Sequence, residues 1–126
     1  MKSKKLQPKT PRDRRAEYLD EVGKCILVDR ANSHGDAEDN FADIAALLSI
    51  RFKRKLKEPL TALDVSSLGV LIKEARKISK AGELNPDNYI DGGGYNGCGY
   101  GILKKILQEL SDTLQDIERY AKAGKK

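Results

Sequence analysis

The chain has 126 residues, of which 39% are hydrophobic and 34% charged, and a formal net charge of +5. This fits one globular domain with polar ends and excludes a disordered composition. No apolar run approaches the ~20 residues needed to span a bilayer, and no signal-peptide core lies near Met1, so a cytoplasmic protein with no membrane role is expected.

The basic balance belongs to a tail. Lys2, Lys4, Lys5, Lys9, Arg12, Arg14 and Arg15 face only Asp13 near the N-terminus. Residues 1–11, with Pro8 and Pro11, are expected to be a disordered tail, suited to solubilisation or to nonspecific nucleic-acid contact. A single helical domain is expected over 12–122, with a frayed end over 123–126. The first helix is predicted from about Arg12 to Asp29, because Tyr18, Leu19, Val22, Cys25 and Ile26 fall on one face. Cys25 and Cys98 have no metal-type spacing and read as small buried residues in a reducing compartment. Ala31-Asn32-Ser33-His34-Gly35 is a turn.

A second helix is predicted over Ala37–Leu56. Asp36 is its N-cap, and Phe41, Ile44, Ala45, Leu48 and Phe52 form its buried stripe. A third is predicted over Ala62–Lys80, with Thr61 and Asp64 in a capping box. Its stripe is Val65, Leu68, Leu71, Ile72, Ala75 and Ile78, and Gly82 follows as a C′ glycine. Asn85-Pro86-Asp87 opens the next segment. Six of the eleven residues from Asp91 to Gly101 are glycine, which by propensity alone is a loop. The last helix is predicted over Ile102–Lys122. Leu103, Leu107, Leu110, Leu114, Ile117 and Ala121 make a heptad seam on it, for core packing or for dimerisation. The fold expected is all-α, a compact bundle of four to five helices.

Candidate chemistry gathers in two stretches. Asp36, Asp39 and Asn40 project from one helical turn, and Asp87 and Asp91 are four apart and share a helix face. Paired carboxylates suit Mg²⁺, which keeps waters and shares substrate phosphates. They suit helix caps and dipole charges equally well. Lys73 and Arg76 are three apart beside apolar positions, as a phosphate grip or as snorkelling side chains. Arg30 offers a similar cation. His34 has no second histidine or cysteine near it, so it is a general base, a ligand contact or a turn histidine, and a zinc site is not expected. Tyr89, Tyr95 and Tyr100 suit base stacking or packing against glycine. The glycine cluster lacks a Walker ending, and no nucleophile elbow or Cys/His pair is present.

In order, the chain carries Asp29-Arg30, His34-Gly35-Asp36, Asn40-Phe41, Ile44-Ala45, Asp64-Val65, Lys73, Ala75-Arg76, Asp87-Asn88-Tyr89-Ile90-Asp91 and Gly94-Tyr95. This resembles a family of short, largely uncharacterised bacteriophage proteins, over about Asp29–Tyr95. That family in turn resembles the all-α nucleotide pyrophosphohydrolases of the MazG type. The resemblance implies a MazG-like bundle, Mg²⁺ held by helix carboxylates, cleavage of nucleoside triphosphates to monophosphate and pyrophosphate, and a homo-oligomer in the host cytoplasm. It also implies that Asp91–Tyr100 is a helix with a thin face. The sequence departs from the enzymes in having no Glu-Glu-x-x-Glu; helix three offers only Glu74.

The function expected is therefore that of a phage nucleotide-handling protein, a Mg²⁺-dependent pyrophosphohydrolase. Asp36, Asp39, Asp87 and Asp91 would hold the metal, with Asp36, Asp39 and Asp91 catalytic. Lys73 and Arg76 would meet the phosphates, and Arg30, His34, Asn40, Asn88 and Tyr95 would contact the rest of the ligand. Two alternatives use the same residues differently. One is a non-catalytic module that sequesters a nucleotide. The other is an interaction protein whose heptad helix and basic tail recruit a host or phage partner.

Overall fold

The computed structural model describes residues 7–29 and 36–125. Four α-helices and no strand occur among them. Helix α1 spans Pro11–Lys24 and starts inside the stretch assigned to the tail. Thr10 is the reason. Its hydroxyl accepts from the Asp13 N–H at 3.1 Å, while the Asp13 carboxylate accepts from the Thr10 N–H at 2.9 Å. Pro11 then fits the first helical position. The Thr10 amide, and next its hydroxyl, hold the Asp13 carboxyl below the ordinary aspartate range. Cys25–Asp29 continues the chain as a π-helical turn, a wider winding that apolar periodicity does not reveal.

Helix α2 spans Ala37–Arg51, capped by Asp36, whose Oδ1 accepts from the Glu38 N–H at 3.1 Å. It stops five residues short of the predicted Leu56. Continued helix would stack Arg51, Lys53, Arg54, Lys55 and Lys57 at repelling spacings. Instead Phe52 closes a turn by accepting from the amides of Lys55 and Leu56. Ser49 then ties the returning chain, donating to the Ala45 carbonyl at 2.7 Å and accepting from the Leu60 N–H at 2.8 Å.

Helix α3 spans Ala62–Lys77, with the expected Thr61–Asp64 capping box. It ends three residues before the predicted Lys80, and Gly82 is not its C′ residue. Gly82 sits in the following turn, where a side chain would collide with the Arg76 carbonyl oxygen.

Helix α4 is the largest correction to propensity. It runs unbroken for 37 residues, Asp87–Ala123, through the whole glycine cluster. Six interior glycines cost a helix about 5 kcal/mol against alanine, so tertiary contact has to offset them. Five of the six have a neighbour within 4 Å of where a Cβ would stand. Gly93 and Gly97 receive Tyr18, Val22 and Ile26 from α1 and the π turn. Gly94 faces the Cys25 sulfur. Gly99 receives Ser66 from α3. With no side chain at Gly99, the Ser66 hydroxyl reaches into α4 and donates to the Tyr95 carbonyl at 2.7 Å. In return the Tyr95 ring lies over Gly69 of α3 and stacks on Phe41 of α2, with ring centroids 6.0 Å apart.

The core is Phe41, Ala45, Val65, Cys98 and Ile102, lined by Ile26, Leu48, Leu60, Leu63 and Tyr95. Cys25 is half-buried and Cys98 buried. The buried face of α3 is Val65, Ser66 and Gly69, so only Val65 of the predicted stripe is buried; Leu68, Leu71, Ile72 and Ile78 are exposed. Ile44 and Phe52 of the second stripe are also exposed. Close approach of Tyr95 to Gly69 and of Ser66 to Gly99 turns α3 away from the orientation that hydrophobicity alone selects. Nor does the heptad seam pack into this core, because every described residue from Leu103 onward is exposed.

Two alanine substitutions separate close approach from open space. Gly69→Ala drives a methyl into the Tyr95 ring and should destabilise the protein by about 2 kcal/mol, as over-packed cores do. At Gly101 nothing stands within 4 Å, so Gly101→Ala should stabilise by roughly 0.8 kcal/mol through helix propensity. Urea midpoints of the two variants should move in opposite directions.

Candidate functional site

The chain between α3 and α4 is a tight turn held by side chains. The Ser79 hydroxyl donates to the Arg76 carbonyl at 2.8 Å and accepts from the Gly82 N–H at 3.2 Å. The Asn85 side chain accepts from the Asp87 N–H at 3.0 Å. Asn88, 4% exposed, donates from Nδ2 to the Gly82 carbonyl at 3.0 Å. A buried amide thus fixes the turn against the first turn of α4.

Between this turn and the ends of the two helices lies an open cleft of about 390 Å³. Lys73, Arg76, Asp87, Asn88 and Asp91 line it together with Ser79, Gly82 and Asn85. Lys73 and Asp91 form an ion pair at 2.7 Å, with side chains 12% and 30% exposed. Arg76 and Asp87 line the cleft as well, and among the described residues neither side chain has a hydrogen-bond or ion-pair partner. Two cations and two carboxylates leave the cleft walls neutral overall. The first turn of α4 opens onto the same space and adds the positive end of a long helix. Such a site suits a phosphate-bearing ligand that brings its own cation: Arg76 offers a planar fork, and the carboxylates offer hard oxygen donors.

The structure brings five of the predicted residues together here and leaves the others elsewhere. Asp36 is spent as the cap of α2, and Asp39 is exposed one turn later. Neither lines the cleft, nor does Asn40, which is half-buried on α2. No group of three or more His, Cys, Asp or Glu among the described residues converges on a metal position. The expected four-carboxylate cluster therefore divides into a helix-two pair and the cleft pair Asp87/Asp91. Tyr95 packs between Gly69 and Phe41 rather than on the cleft. Tyr89 carries the Lys77 ammonium 3.8 Å from its ring centre, and Tyr100 is exposed. Arg30 and His34 lie outside the described residues. Sequence reasoning missed Ser79, Gly82 and Asn85. Their signal was the turn chemistry of Ser-x-x-Gly and Asn-x-Asp, where short polar side chains bond nearby backbone.

Residues 17–103 match the family model described as Domain of unknown function (DUF6378). The chain is also 31% identical over 113 residues to the Gene 55 protein of Mycobacterium phage D29, a match covering 84% of this chain and 71% of that protein. No solved structure matches the chain. No helix among the described residues is long and apolar enough to cross a membrane.

Removing either anchor of the cleft should loosen it. Asn88→Ala leaves the Gly82 carbonyl without its donor and should cost about 1–2 kcal/mol. Lys73→Ala leaves the half-buried Asp91 carboxylate uncompensated and should cost about as much. Amide exchange should quicken over residues 79–91 in both variants, while protection in α2 stays unchanged.

Proposed function

The chain belongs to the DUF6378 family and is similar to a mycobacteriophage protein, and from that premise we propose that it is a phage nucleotide-handling protein whose ligand site is the α3–α4 cleft. The observation that carries this reading is the convergence of Lys73, Arg76, Asp87, Asn88 and Asp91 on one open cavity. Arg76 meets the phosphates in bidentate fashion. Lys73, already beside Asp91, adds a second positive charge when the ligand arrives.

The fit to Mg²⁺ is that of a shared ion. Asp87 and Asp91 sit one turn apart on the same cavity wall, and two carboxylates suffice when phosphates and waters supply the remaining ligands. Bound there, the ion would polarise a phosphate oxygen. The described residues supply two such carboxylates and not a fuller cluster, which favours binding of an intact nucleotide. Cleavage to monophosphate and pyrophosphate, the reaction of MazG-type enzymes, is the second reading, and the same Asp87/Asp91 pair supports it.

The test is thermal melting of the purified chain against ribo- and deoxyribonucleoside triphosphates, with and without Mg²⁺, followed by product analysis. A ligand at ~100 times its dissociation constant should add about 2.7 kcal/mol. The gain should need Mg²⁺, and Arg76→Ala should weaken binding roughly tenfold or more. Released pyrophosphate selects the hydrolase, and intact triphosphate selects the binding module. A flat panel, or a gain indifferent to both Arg76→Ala and Asp87→Ala, overturns the site.

A further inference from the structure

The second half of α4 is a helix without a neighbour. Near its start, Lys105 forms an ion pair with Glu38 of α2 at 3.0 Å. Beyond it Leu107, Leu110, Leu114 and Ile117 are each at least half exposed. They continue the line of Leu103, also exposed, at alternating spacings of four and three. This row is not an extension of the core face. Ile102 is buried and Leu103 is exposed, and adjacent residues point about 100° apart round a helix.

We infer that this face is the interface between two copies of the chain, paired antiparallel through residues 103–121 of α4. The charge pattern selects both the partner and its direction. With the pair centred level with Asp112, Leu103 meets the partner's Ala121, Leu107 meets the partner's Ile117, and Leu110 meets the partner's Leu114. Each layer occurs twice by symmetry, as an isologous contact requires. The same register sets Lys104 beside the partner's Glu118, again twice. It also lays Ile106 against the partner's Tyr120, covering two further exposed side chains on the flank of the seam. A parallel pair instead sets Lys104 and Glu118 roughly 21 Å apart along the axis and gains no charge pair. Flanking charges decide orientation in coiled coils, and here they complement a second copy of this chain only when it runs the other way.

Sedimentation equilibrium of the full chain at micromolar concentration, joined to charge exchange, tests this. The expected mass is twice that of the chain. Leu107→Glu with Leu114→Glu should give a monomer whose circular dichroism retains the bundle. Lys104→Glu alone should raise the dimer dissociation constant about tenfold, since two attractive contacts become repulsive. Glu118→Lys alone should do the same, and the double exchange should restore the original value. Both residues are exposed, so these variants fold even where the leucine variant fails to. A monomeric parent chain overturns the inference and assigns the seam to another partner. So does a double exchange no tighter than the singles, which would exclude the antiparallel register. Neither measurement involves the cleft or its ligand.

Discussion

Between Gly92 and Gly101 the fourth helix has almost no side-chain wall on two of its faces, and other helices fill both. Ser66 enters on one face to bond the Tyr95 carbonyl, a backbone group that any side chain at position 99 would screen. On the other, Tyr18, Val22 and Ile26 close on Gly93 and Gly97. The helix survives its glycines because at all but Gly101 a neighbour's atoms stand where the side chain is missing. Dispersion and burial at the close approach then offset what the backbone loses in conformational entropy. The core can be small because part of its work is done by backbone contact rather than by large apolar side chains.

The cleft follows from the same closeness. With α3 drawn onto α4 along Ser66, Gly69 and Gly99, the two helices are near enough for Lys73 to reach Asp91 directly. Three residues further along α3, Arg76 has no such partner, because the chain turns away at Lys77 and the helices part. Where they part, polar side chains make up most of the lining. Ser79, Gly82, Asn85 and Asn88 hold the turn by bonding backbone. A cavity made this way is stiff at its base and open above. Its cations and carboxylates also balance, so a bare anion gains little there and an anion with its metal gains more.

Much of this was legible in the residues, and the exceptions share a cause. The caps at Asp36 and Thr61–Asp64 are local chemistry, and they fell where the sequence put them. Lys73, Arg76, Asp87, Asn88 and Asp91 could be named because charged and amide groups beside apolar stripes stand out. That they share one cavity, while Asp36 and Asp39 do not, depends on how α3 and α4 cross, which no spacing encodes. Propensity read the glycine cluster as a loop because it counts a residue's own cost and not what a neighbour supplies. The α3 stripe was misplaced for the same reason: a serine and a glycine outrank leucines when the facing surface is glycine. The π turn after Lys24 carries no pattern of its own.

One helix thus holds three zones in sequence: the cleft wall at Asp87–Asp91, the glycine contact, and the uncovered seam. The family match takes in the first two and stops at Leu103, where the third begins. At 37 residues the helix is roughly 55 Å long, and it carries no proline or break to uncouple its parts. An antiparallel pair centred at Asp112 places the two Asp91 residues roughly 60 Å apart along the common axis. Each cleft then lies at a far end of the pair, out of reach of the other chain. Any group that would contact a ligand there then comes from the chain that owns the cleft. Pairing therefore supplies no missing carboxylate, and the cleft's chemistry has to be complete with Asp87, Asp91, Lys73 and Arg76 together with whatever its own chain adds beside them.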